Sequence, residues 1–173
     1  MHDISWGEKR ARRLEAKQYI RKFLLYPAFW KDPEKQIKHK IDWKQILFQE
    51  DNSNLIPNKK GIYCFVVKPP FVDFLFETQY LFYIGKASSA TLRGRYKNYI
   101  DERNNKGIGG QKPRIKVQEM LNDYYGHIYF FYAELQAVQI KDAEDKLLNM
   151  FMPYVNTAIP ELKISEEYKH LYQ

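Results

Sequence analysis

The stretch "QYLFYIGKASSATLRGRYKNYI", Gln79 to Ile100, decides how the rest of the chain is read. It opens as an aromatic and β-branched run of the kind that suits a strand. A tight turn is expected at Tyr83-Ile84-Gly85-Lys86, followed by a helix whose apolar stripe is Leu92, Tyr96, Tyr99 and Ile100. Arg93 and Arg95 flank that stripe on opposite edges. An arginine in such a position either snorkels to water or reaches into a cleft and grips a phosphate with its planar fork. Periodicity alone does not choose between the two arginines.

Two further runs resemble the first half of this stretch. "GIYCFVV", Gly61 to Val67, precedes it across the connection "KPPFVDFLFETQ", and "GHIYFFYAEL", Gly126 to Leu135, follows it. All three are apolar at most positions rather than strictly alternating, which predicts a small sheet with both faces covered by helices. The covering helices are expected at Thr91 to Ile100, at about Pro113 to Tyr125, and at Ile140 to Met152. Ahead of the sheet, Glu8 to Tyr26 and Ile37 to Phe48 are read as helices. "EDNSNLIPNKKG" has loop chemistry and marks a boundary near Pro57. The chain thus divides into a basic, mainly helical N-terminal extension at 1–57, a compact domain at 58–160 and a tail at 161–173.

Composition narrows the classes. The 173 residues are 45% hydrophobic, enough for a core, and carry a net charge of +7. Cys64 is the only cysteine, so neither an internal disulfide nor a multi-cysteine metal site can form. No apolar leader or membrane-length run is present, and the chain is expected to be cytoplasmic with no membrane partner. The positive charge is focused rather than spread. Lys86 to Lys116 hold nine Lys/Arg against two Asp/Glu, and Glu8 to Lys22 hold seven against two. Such segments suit a polyanionic partner, and the loop "DERNNKGIGGQKPRIK", with Lys112 and Arg114, reads either as a flexible connection or as a contact to a nucleic-acid backbone.

The third helix carries an awkward charge. Ile140, Leu147, Leu148 and Phe151 share one face, and Glu144 falls inside their stripe. A carboxylate there costs several kcal/mol unless it is paired, protonated or bound to a cation. A salt bridge, a cap interaction and a metal ligand are all open.

"GIY" at Gly61–Tyr63, "YIG" at Tyr83–Gly85, "LRGRYKNY" at Leu92–Tyr99 and "AEDKLLNMFMPYVNT" at Ala143–Thr157 together resemble the GIY-YIG nuclease superfamily, over the span Pro57 to Ala158. The resemblance implies an α+β fold: a small central antiparallel three-stranded sheet flanked by helices, here with the helical basic N-terminal extension. It also implies an endonuclease that uses Mg²⁺ or Mn²⁺ to hydrolyse DNA, leaving 5′-phosphate and 3′-hydroxyl ends. Matched residue by residue, its tyrosines fall on Tyr63 and Tyr83. Its catalytic arginine falls on Arg95, with Arg93 as runner-up, because Leu92 and Tyr99 fit an "L-x-x-R-x-x-x-Y" helix. Its metal-binding glutamate falls on Glu144 and the asparagine that closes the site on Asn156. Lys86 matches a lysine that often follows "YIG". The chain departs from the family in a longer linker between the two tripeptides and in Tyr99, which stands where some restriction enzymes of the family have histidine. A nucleic-acid-binding module that kept the fold and lost cleavage is the alternative.

Overall fold

The computed structural model describes residues 15–17, 19–21, 27–34, 36–69, 78–104 and 114–156. Its elements in chain order are α1 (Pro27–Lys31), β1 (Lys44–Leu47), a 3₁₀ helix (Glu50–Leu55), β2 (Gly61–Val67), β3 (Tyr80–Ala87), α2 (Leu92–Arg103), α3 (Ile115–Asp123), β4 (Ile128–Glu134) and α4 (Ala137–Phe151). The fold is α+β, with one antiparallel sheet of strand order β1-β4-β2-β3 flanked by helices.

β2 sits between β3 and β4, and all seven of its residues are buried. Its alternation sorts them to two sides. Tyr63, Phe65 and Val67 join the core beneath α2 and α3, with Leu92, Tyr96, Tyr99, Val117 and Leu121. Ile62, Cys64 and Val66 join the core beneath α4, with Ala143, Leu147 and Leu148. A strand buried on both faces has no polar alternation to show, which is why "GIYCFVV" reads as a continuous apolar run.

Several expectations are corrected. The sheet has four strands, not three. The helix expected over 37–48 does not form: residues 37–43 are irregular, and β1 pairs with β4 from Lys44↔Tyr132 to Leu47↔Tyr129. Phe48 and Ile56, within the stretch assigned to the extension, are fully buried in the core beneath α2 and α3. The chain does not turn at Tyr83–Lys86; β3 runs on to Ala87 and bends at 88–90. Phe151 leaves the α4 stripe and is exposed, while Met152, in the left-handed region at φ 41°, turns back and is buried in its place.

Of the expected N-terminal helix, residues 15–17 are helical; most of it, with Lys112 and the tail, lies outside the described residues. Among the described residues ahead of the sheet, several side chains dock on the body, Ile37 and Ile41 against the core beneath α4. Arg21 pairs with Asp123 at 2.9 Å, and Trp30 Nε1 donates to the Met150 carbonyl at 2.9 Å. No helix among the described residues is long and apolar enough to cross a membrane.

Candidate active site

The two tripeptides are halves of one contact. Tyr63 is the Cα partner of Gly85 across β2 and β3. A Cβ on Gly85 would lie 2.6 Å from the Tyr63 ring, so the ring can lie over this position only because no side chain is there. Gly61 is required for a different reason: a Cβ there would lie 2.0 Å from the Ala133 carbonyl oxygen of β4. A bulge tunes the aim. Phe65 pairs with Tyr83 and Val66 with Leu81, leaving Phe82 as an extra residue. Phe82 and Tyr83 therefore both reach the core beneath α2 and α3, and Tyr83 stays on the same side as Tyr63.

Three tyrosines gather there. The Tyr63 and Tyr99 hydroxyls are 3.1 Å apart, and ring centroids are 6.3 Å apart for Tyr63 and Tyr83 and 5.9 Å for Tyr83 and Tyr99. Burial pushes the Tyr63 phenol well above its ordinary pKa and Tyr83 adds to this; the Tyr99 hydrogen bond and the Arg95 and Arg114 charges pull the other way without prevailing. Burial likewise raises Tyr99. Tyr63 and Tyr99 are thus neutral hydrogen-bonding groups, whereas Tyr83 is only half-buried.

α2 supplies the arginines. Thr91 caps it, its side chain accepting from the Gly94 amide at 3.2 Å, and the Leu92 amide donates to the Lys59 carbonyl at 2.7 Å. Those contacts fix the phase of the helix on β2. Arg93 is spent on structure: Nε donates to the Ile56 carbonyl at 2.8 Å and Nη2 to the Asn54 carbonyl at 3.1 Å, holding the 3₁₀ helix. Arg95 lies close enough to Tyr63 to act on its charge, and its Nε is buried with no hydrogen-bond partner among the described residues. The two edges of the stripe therefore have different fates.

Arg114 arrives from the start of α3. Its guanidinium lies 5.3 Å from the Tyr99 ring centroid and 5.9 Å from that of Tyr83, and Nη1 is 3.5 Å from the Tyr83 hydroxyl. Glu102, one residue before the end of α2, holds it. The sequence reading missed Glu102. The signal was present, because Glu102 follows Tyr99 by three positions and so shares the buried face of α2.

Of the remaining candidates, Lys86 and Glu144 lie on the other face of β3 and Asn156 along its edge. Lys86 Nζ donates to Glu144 Oε2 at 2.5 Å, with the carboxylate side chain 13% exposed. The salt-bridge reading of Glu144 is therefore met, and Oε1 has no hydrogen-bond partner among the described residues. Asn156 clasps the backbone of Ile84, its Oδ1 accepting from the amide at 2.9 Å and its Nδ2 donating to the carbonyl at 2.8 Å. β3 is an edge strand. The tyrosine–arginine group and the Lys86–Glu144 pair thus adjoin one sheet edge, separated along it by about 10 Å from Tyr83 to Lys86.

No group of three or more His, Cys, Asp or Glu able to hold a metal occurs among the described residues. A single carboxylate fits Mg²⁺ or Mn²⁺, hard ions that keep much of their water shell, and does not fit a structural zinc site. No protein-family model, curated protein or solved structure matches the chain.

Proposed function

We propose that the protein is a divalent-metal-dependent endonuclease of the GIY-YIG kind that hydrolyses DNA phosphodiester bonds. The observation that carries this reading is Arg95. A cationic side chain close to the buried Tyr63, with a buried Nε that finds no hydrogen-bond partner among the described residues, is costly unless an anion completes it. A phosphate oxygen meets that need, and a guanidinium fork meets phosphate with good geometry.

In the proposed reaction Arg95 binds a non-bridging oxygen of the scissile phosphate and stabilises the charge that grows there. Glu144, steadied by Lys86, would hold Mg²⁺ or Mn²⁺. When bound, the ion supplies positive charge at the phosphoryl group and at the leaving oxygen. Tyr83, the half-buried member of the tyrosine group, accepts a proton from the attacking water. A phenol acts as a base only in its phenolate form. The water oxygen bonds to phosphorus, the bond to the 3′ oxygen breaks, and that oxygen takes up a proton. Products with 5′-phosphate and 3′-hydroxyl ends follow. Tyr63 and Tyr99, neutral and buried, orient the group. Asn156 fixes β3 between Tyr83 and Gly85. The net charge of +7 favours a polyanionic partner over other substrates.

The test is cleavage of supercoiled plasmid and end-labelled duplex DNA with Mg²⁺, with Mn²⁺ and with a chelator. Metal-dependent nicking or cutting with 5′-phosphate ends is expected. Binding of DNA without cleavage in any metal would replace this reading with that of a non-cleaving binding module.

A further inference from the structure

We infer that Glu102 is a positioning residue that presets Arg114 against the Tyr83 hydroxyl, making Arg114 a second arginine of the active site; the inference rests on the endonuclease reading above.

Glu102 is 1% exposed. A carboxylate so deep is sustained only by full pairing. Arg114 supplies it three times over: its backbone amide and Nε both donate to Oε1, at 2.9 and 3.0 Å, and Nη2 donates to Oε2 at 2.7 Å. The Gln118 side chain adds a bond to the Glu102 carbonyl at 3.0 Å. Burial alone would lower the Arg114 pKa, but the Glu102 bonds and the neighbouring tyrosines raise it, so the guanidinium stays charged.

The chelate does more than tether α2 to α3. With Nε and Nη2 consumed and the backbone amide gripped by the same carboxylate, the plane of the guanidinium is fixed. Nη1 is left facing the Tyr83 hydroxyl at 3.5 Å, over the rings of Tyr99 and Tyr83. That distance is long for a hydrogen bond, as such contacts often are before substrate binds. The Glu102 charge offsets much of the Arg114 charge at a distance, so Arg114 acts chiefly through its short-range contacts to Tyr99 and to the Tyr83 hydroxyl. Its rotamer entropy is lost on folding rather than on binding. An aimed donor at the Tyr83 oxygen fixes the direction of that hydroxyl and leaves its other lone pair for the water.

The test uses the full chain and the variants Glu102→Gln, Arg114→Lys, Tyr83→Phe and the Arg114→Lys/Tyr83→Phe double variant. Glu102→Gln keeps the shape of the side chain, and Arg114→Lys keeps the charge while removing the fork. Single-turnover cleavage at saturating DNA should fall roughly 10- to 100-fold in each of these two, the scale of a misplaced catalytic group, with the half-saturating DNA concentration little changed. The double variant should be no slower than Tyr83→Phe, because both act through one hydroxyl. Without DNA, protein carrying ¹³Cζ-tyrosine should show the Tyr83 resonance displaced in both Glu102→Gln and Arg114→Lys. Additive rate losses, or an unmoved Tyr83 resonance, would overturn the inference. A wild-type chain that cleaves nothing would sink the endonuclease reading, and the resonance would still judge the Glu102–Arg114–Tyr83 arrangement by itself.

Discussion

Lys86 Nζ and Glu144 Oε2 meet at 2.5 Å although 58 residues separate them in the chain. One belongs to the strand that carries "YIG", the other to an apolar stripe on α4. The pair explains how a carboxylate is tolerated among Ile140, Leu147 and Leu148. It also fixes the orientation of the Glu144 carboxylate.

Glu144→Gln keeps the volume of the side chain and removes its charge. Cleavage should fall by more than ~10²-fold, while DNA binding by the folded variant persists in a mobility-shift titration. A Glu144→Gln protein that cuts at the parental rate removes Glu144 from the chemistry.

Arg95 and Arg93 should separate cleanly. Arg95→Ala is expected to lose roughly 10²-fold or more in single-turnover rate with little change in melting temperature, since its Nε gives up no partner among the described residues. Arg93→Ala should instead cost about 1–3 kcal/mol of stability, because the Ile56 and Asn54 carbonyls lose their donors. Urea unfolding and kinetics on the same two proteins check this, and reversed phenotypes would move the catalytic register to Arg93.

Gly61→Ala and Gly85→Ala should both destabilise, by about 1–3 kcal/mol or more, for different reasons. The Gly61 clash is with backbone and has no side-chain remedy. The Gly85 clash is with the Tyr63 ring, so Tyr63→Ala should relieve it. Thermal melts of Gly85→Ala, Tyr63→Ala and the double variant test the coupling; strictly additive losses would argue against it.

Alkali should unfold the protein early. Burial raises the pKa values of Tyr63, Tyr99 and Cys64 and pushes Tyr96 up to about 12. Each group is an acid whose folded pKa exceeds its unfolded value, near 9 for the thiol and 10 for the phenols. Above those values the unfolded chain holds fewer protons than the folded one. Stability is therefore intact below about pH 9 and declines as pH rises through 10 toward 12. Melting temperatures from pH 7 to 11 follow this directly, and a flat profile would mean that these groups ionise without unfolding.

How much of this was legible in the sequence depended on how strongly each segment declares its burial. β2, β3 and β4 are aromatic and β-branched throughout because the sheet is covered on both faces. β1 is hidden in the sequence because it has four residues, of which only Ile46 and Leu47 are half-buried. Ile37 and Ile41 also lent the preceding stretch a helical period. The tyrosines, Arg95, Glu144 and Asn156 were visible as a spaced set. The pairing of Glu144 with Lys86 was not, since no local rule brings residues 58 positions apart together. Glu102 falls in the loop expected after a helix ending at Ile100, whereas the helix runs on to Arg103 and its phase with Tyr99 turns Glu102 inward.

The Asn156 clasp on Ile84 has a consequence for how copies of the chain behave toward one another. β3 ends the sheet, and a bare edge invites a strand from a neighbouring molecule. The Val155 amide bonds the Phe82 carbonyl at 3.0 Å, and the Asn156 side chain satisfies both backbone groups of Ile84. These two residues stand in for a missing strand. In Asn156→Asp the carboxylate can still accept from the Ile84 amide but repels its carbonyl, so the guard should lift. Sedimentation velocity across a concentration series should then show more self-association than in the parent chain. An identical profile would mean that the edge is kept solitary by other means. On this prediction, the residue that steadies β3 beside Tyr83 also limits how folded copies template one another.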